Sequence, residues 1–387
     1  MEQTANMKEI HIGAGRQTID FETLVQTLNE QQSQKYDVVM STNKMTAVVE
    51  PEAKYENEEE IKVPKEVKLL LELPDDKGMK SYGLTQHAHK QLAEKCGIPT
   101  RYYDRMQNAN KLDLITENVN NWIQSTDRRM VRIMGDRVRA IVSDRYFRLD
   151  NYIVATETFN KMKEHGMDFK KDVQACHLSD TKMYIRVVIP FMQDEIKVGD
   201  IVKQGLIISN SEVGAGAFKA EPFLWRLACL NGMIANHSMA RIHLGSKMNP
   251  GVQDMDIFSE ETRDLELETV LSQIKDIIEN TFDQDFFYRW TDILRRNTEI
   301  DLGSPTEAID NFTKLYSMKH AKEDLLDRLV KEGDSSQYGL VNAITSYAKD
   351  QGSYDRQIEL ERIAGDISFM EEPEFRRKIA TEVKAVA

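Results

Sequence analysis

The stretch Arg128-Arg129-Met130-Val131-Arg132-Ile133-Met134-Gly135-Asp136-Arg137-Val138-Arg139-Ala140-Ile141-Val142 decides how the chain is read. Apolar and basic residues alternate on either side of Gly135-Asp136, and alternation at period two marks strands with one buried face. A two-residue loop with glycine first suits a type II′ turn, whose twist matches a β-hairpin. That turn sets Met134 opposite Arg137, Ile133 opposite Val138, Arg132 opposite Arg139 and Val131 opposite Ala140. Val131, Ile133, Val138, Ala140 and Val142 then share one face, and Arg132, Arg137 and Arg139 share the other. Arginines directly across a ladder repel one another. The pattern calls for anions over that face, and two sources are open: the phosphates of a nucleic acid, or carboxylates of the chain itself.

Working outward, seven arginines lie between Arg128 and Arg148 in a chain of 387 residues with a formal net charge of -13. Such an acidic balance argues against sequence-blind binding through bulk charge but leaves room for a local basic track. The length suits two or three domains. No apolar run approaches the roughly 20 residues of a membrane span. The N-terminal residues are polar and acidic, without the apolar core of a secretory signal. Cys96, Cys176 and Cys229 are widely spaced and odd in number, which argues against a disulfide framework and for a reducing cytoplasm.

The pattern predicts short elements before the hairpin. These are a strand at Ile10–Ile12, a helix from Asp20 to Asn29, a hairpin from Tyr36 to Val49 turning at Asn43, an acidic loop from Pro51 to Pro64 and a strand from Val67 to Leu73. Leu84, Ala88, Leu92, Ala93 and Cys96 recur at helical spacing, Gly97 stops that helix, and Ile98-Pro99 starts another. Leu112 to Ile123 reads as a further helix. After the arginine hairpin, Asp150 or Asn151 caps a helix reaching Lys163, with Gly166 beyond its end. Phe169 to Ile189 reads as a second hairpin, Ile201 to Ile208 as a strand, Phe218 to Met233 as an apolar segment and Ala240 to Leu244 as a short strand. After Ser259 the pattern is helical, and Ser304-Pro305-Thr306-Glu307 combines a capping box with proline at the first helical position. The expected class is α+β: a largely antiparallel sheet built from hairpins with packed helices, then a helical C-terminal region. The expected divisions are 1–83, 84–258 and 259–387.

Several motifs invite chemistry. Tyr146 and Phe147 follow the arginines, and aromatics beside arginines suit single-stranded nucleic acid. Leu84 to Tyr103 resembles a helix-turn-helix, with Arg101, Tyr102 and Tyr103 opening the second helix; a plain helical hairpin packed on the sheet fits the same residues. Cys176-His177, Cys229, His237 and His243 lack the close spacings of a structural zinc site, so no metal is assigned. Gly13-x-Gly15 and Gly214-Ala215-Gly216 lack the spacing of a phosphate-loop fingerprint. Lys219 and Arg226 extend the candidate basic track. No Ser-His-Asp or Cys-His constellation is local, so no catalytic residue and no cofactor are assigned.

Val138-Arg139-Ala140-Ile141-Val142-Ser143-Asp144-Arg145-Tyr146 followed by Leu149-Asp150-Asn151, then Asn210-Ser211-Glu212-Val213-Gly214, Cys229-Leu230-Asn231-Gly232 and Tyr338-Gly339-Leu340-Val341-Asn342-Ala343-Ile344-Thr345-Ser346-Tyr347, resemble the ordered motifs of a phage/plasmid-like family of unknown function. The resemblance spans roughly Leu84 to Arg356 and implies work in DNA metabolism or in the contest between phage and host, inside a bacterial host cell. The order of hairpins and helices is also similar to that of Rad52-type single-strand annealing proteins, at the level of fold alone.

The leading expectation is a homo-oligomeric protein that binds single-stranded DNA in recombination or annealing, with no membrane association. Arg132, Arg137 and Arg139 would contact phosphate, Arg129 and Arg145 extend the track, and Tyr146 or Phe147 stack a base. The alternatives are an assembly or interaction protein whose arginines pair internally, and a metal-dependent nuclease or nucleotide hydrolase.

Overall fold

The computed structural model describes residues 18–49, 69–75, 78–235 and 260–380. The expected strands at Ile10–Ile12 and Ala240–Leu244, the Gly13-x-Gly15 segment, the acidic loop, and the His237 and His243 positions lie outside the described residues. The element order begins β1 (Thr18–Ile19), α1 (Phe21–Gln32), β2 (Lys35–Ser41), β3 (Thr46–Val49), β4 (Leu69–Asp75), β5 (Gly78–Leu84), α2 (Gln86–Lys95), α3 (Thr100–Asn108), α4 (Leu112–Trp122), β6 (Arg128–Met134) and β7 (Arg137–Ser143). It continues α5 (Asn151–Glu164), α6 (Phe169–Asp172), β8 (Val173–Leu178), β9 (Met183–Lys197), β10 (Asp200–Asn210), β11 (Lys219–Arg226) and β12 (Asn231–Ile234). The C-terminal helices are α7 (Glu260–Thr281), α8 (Gln284–Asn297), α9 (Pro305–Leu315), α10 (Lys322–Glu332), α11 (Gln337–Lys349), α12 (Tyr354–Ser368) and α13 (Glu372–Lys378).

The class is α+β, with packed helices and a helical region from α7 to α13, but the strands form two sheets. One has the order β2-β6-β7-β5-β4-β3, antiparallel except where β5 meets β7. The other is the meander β8-β9-β10-β11-β12 with β1 added beside β8. The first sheet lays Val131, Ile133, Val138 and Ile141 against α2, α3 and α4, which supply Leu92, Tyr103 and Ile115. The second buries Ile185, Val187, Leu206 and Ile208 in a large core shared with α5, α7, α8 and α11. Its opposite face, with Tyr184, Val188, Ile207 and Phe223, packs on Tyr354 and Ile358 of α12.

Two local expectations are corrected. The arginine hairpin turns at Gly135-Asp136, with Gly135 at φ 60°, and keeps Met134↔Arg137 and Ile133↔Val138. A bulge follows, so Arg132 pairs with Ala140 and Val131 with Ile141, leaving Arg139 as the extra residue. Beyond a bulge the side-chain alternation changes phase. Ala140 and Val142 therefore leave the Val131 face and join Met130 and Val213 in a small cluster. The bulge also relieves the Arg132–Arg139 opposition that a regular ladder imposes. The second correction concerns Tyr36 to Val49: β2 and β3 form but do not pair, and they lie at opposite edges of the sheet. Thr42 and Asn43 donate their amides to the Asp127 and Ser125 carbonyls, which turns the chain away from a hairpin. Asn120 then covers the β3 edge, its amide bonding Ala47 N at 2.8 Å and Ala47 O at 2.9 Å.

Candidate functional site

The bulged hairpin brings Arg132 and Arg139 beneath the chain's own carboxylates. Arg132 Nε donates to Asp37 Oδ1 at 2.9 Å, Nη2 to Asp150 Oδ1 at 2.6 Å and Nη1 to the Glu212 carbonyl at 2.6 Å. Arg139 Nη1 lies 2.7 Å from Glu212 Oε2, and Lys35 Nζ lies 2.7 Å from Glu212 Oε1. The same Oε1 accepts the Asn151 N–H at 2.6 Å, so Glu212 caps α5 from a distant loop. Burial by itself raises a carboxyl pKa. Here the Arg139 and Lys35 charges and these hydrogen bonds outweigh it and hold Glu212 at about 2. Burial lowers the Arg132 pKa, and Asp150 and Asp37 more than reverse that, so the guanidinium stays charged. Of the two anion sources that the sequence leaves open, carboxylates occupy Arg132 and Arg139.

The remaining sequence-derived candidates scatter around this junction. Arg129 is partly exposed and 3.4 Å from Asp127. Arg137 and Arg145 are exposed. Tyr146 donates its hydroxyl to the Ser211 carbonyl at 2.9 Å and accepts the Gly214 N–H at 3.2 Å, so it fastens the 211–217 loop. Phe147 packs against the large core. Arg226 pairs with Asp200 at 2.7 Å and Glu332 at 3.0 Å. Among the described residues no group of three His, Cys, Asp or Glu side chains is placed to hold a metal ion, and no helix is long and apolar enough to cross a membrane.

Lys219 lies elsewhere, in a basic pocket. In the second sheet Ser209 pairs with Tyr184 on one side and Lys219 on the other. Directly opposed residues share a face, so these three side chains form one row across β9, β10 and β11. Lys182 from the preceding turn, Asn210 from the end of β10, Ser211, Gly216 and Ala217 from the loop, and Arg362 from α12 complete a cavity of about 300 Å³. Ser209, Asn210 and Ser211 are buried. Asp355 pairs with Lys182 at 3.2 Å and accepts the Tyr184 hydroxyl. Glu221 takes Nε and Nη2 of Arg362, leaving Nη1 without a protein partner among the described residues. Lys182, Tyr184, Ser209 and Arg362 are absent from the sequence-derived candidates. Arg362 comes from a helix far along the chain, and the signals beside them were Lys219, Gly216 and the Asn210-Ser211 motif.

A family model for a domain of unknown function, DUF932, matches residues 138–365. The chain belongs to the DUF932 family. The matched segment runs from the second strand of the arginine hairpin into α12, and every residue lining the basic pocket lies within it. Glu212 and its partners Arg139 and Asn151 also lie in the DUF932 segment, whereas Lys35, Asp37 and Arg132 precede it. No curated protein and no solved structure matches the chain.

Proposed function

We propose that the protein binds nucleic acid, with single-stranded DNA as the ligand, in keeping with the DNA metabolism that the phage- and plasmid-like motifs imply, and that the basic pocket takes a backbone phosphate. The observation that carries this reading is the convergence of Lys182, Lys219 and Arg362 with Ser209 and Ser211 on one cavity, in a chain whose net charge is -13. Lysine offers a mobile point charge and arginine a rigid fork matched to phosphate, while buried hydroxyls add neutral hydrogen bonds. Asp355 and Glu221 pair with Lys182 and Arg362 and hold them at the cavity wall. Arg132, Arg139 and Arg226 serve the framework, and the exposed Arg137 faces solvent, where a strand passing the hairpin would meet it. The same reading has homo-oligomers working along a strand in recombination or annealing.

Anisotropy titrations with labelled single-stranded DNA, from about 50 to about 200 mM salt, test it, because each phosphate contact adds about 0.7 to the salt slope of a single strand. Lys182→Ala with Lys219→Ala weakens binding and flattens the slope. Unchanged affinity and slope in that variant remove the pocket as the site.

The closed arginine junction favours a second reading, an assembly or interaction protein without DNA contact. A defined oligomer with no DNA affinity at low salt supports it.

A further inference from the structure

Helix α3 follows α2 through Cys96-Gly97-Ile98-Pro99, with Gly97 at φ 65°. The Ile98 amide bonds the Ala93 carbonyl at 2.9 Å, and Tyr103 OH lies 2.9 Å from His89 Nδ1 in the interior. These bonds fix α3 on α2. Helix α2 packs on β7 and α4 on β3, and α3 packs on both helices. Tyr103 and Met106 point inward. Arg101, Arg105 and Asn108, spaced i, i+4 and i+7, form an exposed stripe on one face, with Tyr102 half exposed beside it. The half-buried Asp104 sits between the two arginines on the helix surface. Arg132, Arg139, Arg186, Arg226 and Arg362 are held by carboxylates, whereas Arg101 and Arg105 form no ion pair among the described residues.

We propose that α3 is a second DNA-contacting element and that its partner is a duplex. A helix with its side chains is about as wide as the major groove, and a helix held outward by a short turn is the form that enters it. Two guanidinium groups and a carboxamide are the side chains that read guanine and adenine edges or hold phosphate there. The stripe is also tied to the pocket. His87 Nε2 and Gln91 Nε2 of α2 each lie 2.9 Å from the Val213 carbonyl, in the loop that lines the cavity. A DNA with a single-stranded tail and a duplex body thus meets two fastened surfaces of one protein.

The test compares a blunt duplex with a single strand, using wild type, Arg101→Ala with Arg105→Ala, and Lys182→Ala with Lys219→Ala. The α3 variant loses duplex affinity by about tenfold per contact and about 0.9 of salt slope per phosphate released, while keeping single-strand affinity. The pocket variant shows the reverse. Asn108→Ala shifts sequence preference without changing the salt slope. Both arginines are exposed, so an unchanged thermal midpoint confirms that the fold persists. Absence of duplex binding by the wild type, an unchanged duplex affinity in the α3 variant, or an equal loss on both ligands overturns the proposal. Failure confined to the pocket variant counts against the pocket alone.

Discussion

Arg132 Nη2 donates to Asp150 Oδ1 at 2.6 Å, and Asp150 is the N-cap residue of α5. The capping carboxylate is therefore engaged by a guanidinium from the first sheet instead of by the helix amides. Glu212 takes over the helix end through the Asn151 N–H. One strand, one loop and one helix start meet on a single set of charges.

Removing Arg132 takes the guanidinium from Asp150 and leaves Asp37 only the longer contact with Arg148 at 3.4 Å. Loss of one partner from a buried ion pair costs about 3–5 kcal/mol. Urea unfolding of Arg132→Ala is expected to show a loss of that order. Arg132→Lys keeps the charge but gives up the fork that reaches three acceptors at once, so it falls between alanine and wild type. A wild-type midpoint for Arg132→Ala would mean that the junction adds no net stability.

Glu212 supplies the pH dependence. Its folded pKa of about 2 lies below the ordinary 4.5 of an unfolded glutamate. A depressed carboxyl stabilises the fold fully above the unfolded value and loses that contribution as pH falls through the folded one. The wild type is thus expected to lose stability between about pH 4.5 and about pH 2 from this residue. Glu212→Gln should be less stable at neutral pH and should show a shallower fall across that window. Parallel acid-unfolding curves for the two proteins would remove Glu212 as the cause.

Local periodicity made the helices, most strands and the Gly135-Asp136 turn legible, because each depends on residues close in sequence. The Ser304-Pro305 start is one case: Ser304 Oγ accepts the Glu307 amide at 3.4 Å. The bulge at Arg139 was not legible, since the bulged residue's partner, Glu212, reaches the strand from a loop between β10 and β11. The separation of β2 from β3 likewise depends on carbonyls at Ser125 and Asp127. The pocket is the extreme case. Lys219 was visible as one base among many, and only pairing of three strands and docking of α12 bring it near Lys182 and Arg362.

Gly365 permits that docking. A Cβ there would lie 1.7 Å from the Ile234 carbonyl oxygen, so α12 must move if any side chain is added. Overpacking of this kind costs about 1–3 kcal/mol or more. Arg362 lies one turn earlier on the same helix. Gly365→Ala is expected to lower the thermal midpoint and to weaken single-stranded DNA binding together. Gly352 meets nothing within 4 Å, so Gly352→Ala is the matched substitution that should leave both unchanged. A stable Gly365→Ala protein with full affinity would mean that α12 does not need this close approach.

The three cysteines report on packing without perturbing it. Burial pushes Cys96 up to about 11 and Cys176 up to about 12, and both thiols are enclosed. Cys229 is only half-buried, with Arg226 Nη1 3.4 Å from its sulfur. Burial raises its pKa too, and the Arg226 guanidinium offsets only part of this, since Glu332 and Asp200 also push it up. Thiolate is the reactive form, and an ordinary thiol titrates near about 8.5. Access sets the order: at about pH 8 a thiol reagent should modify the half-buried Cys229 first, and the buried Cys96 and Cys176 only on unfolding. Cys229→Ser should abolish the fast phase, with mass spectrometry locating the remaining label. Fast labelling of Cys96 would show α2 opening at its C-terminal end, and with it the turn that holds α3 outward.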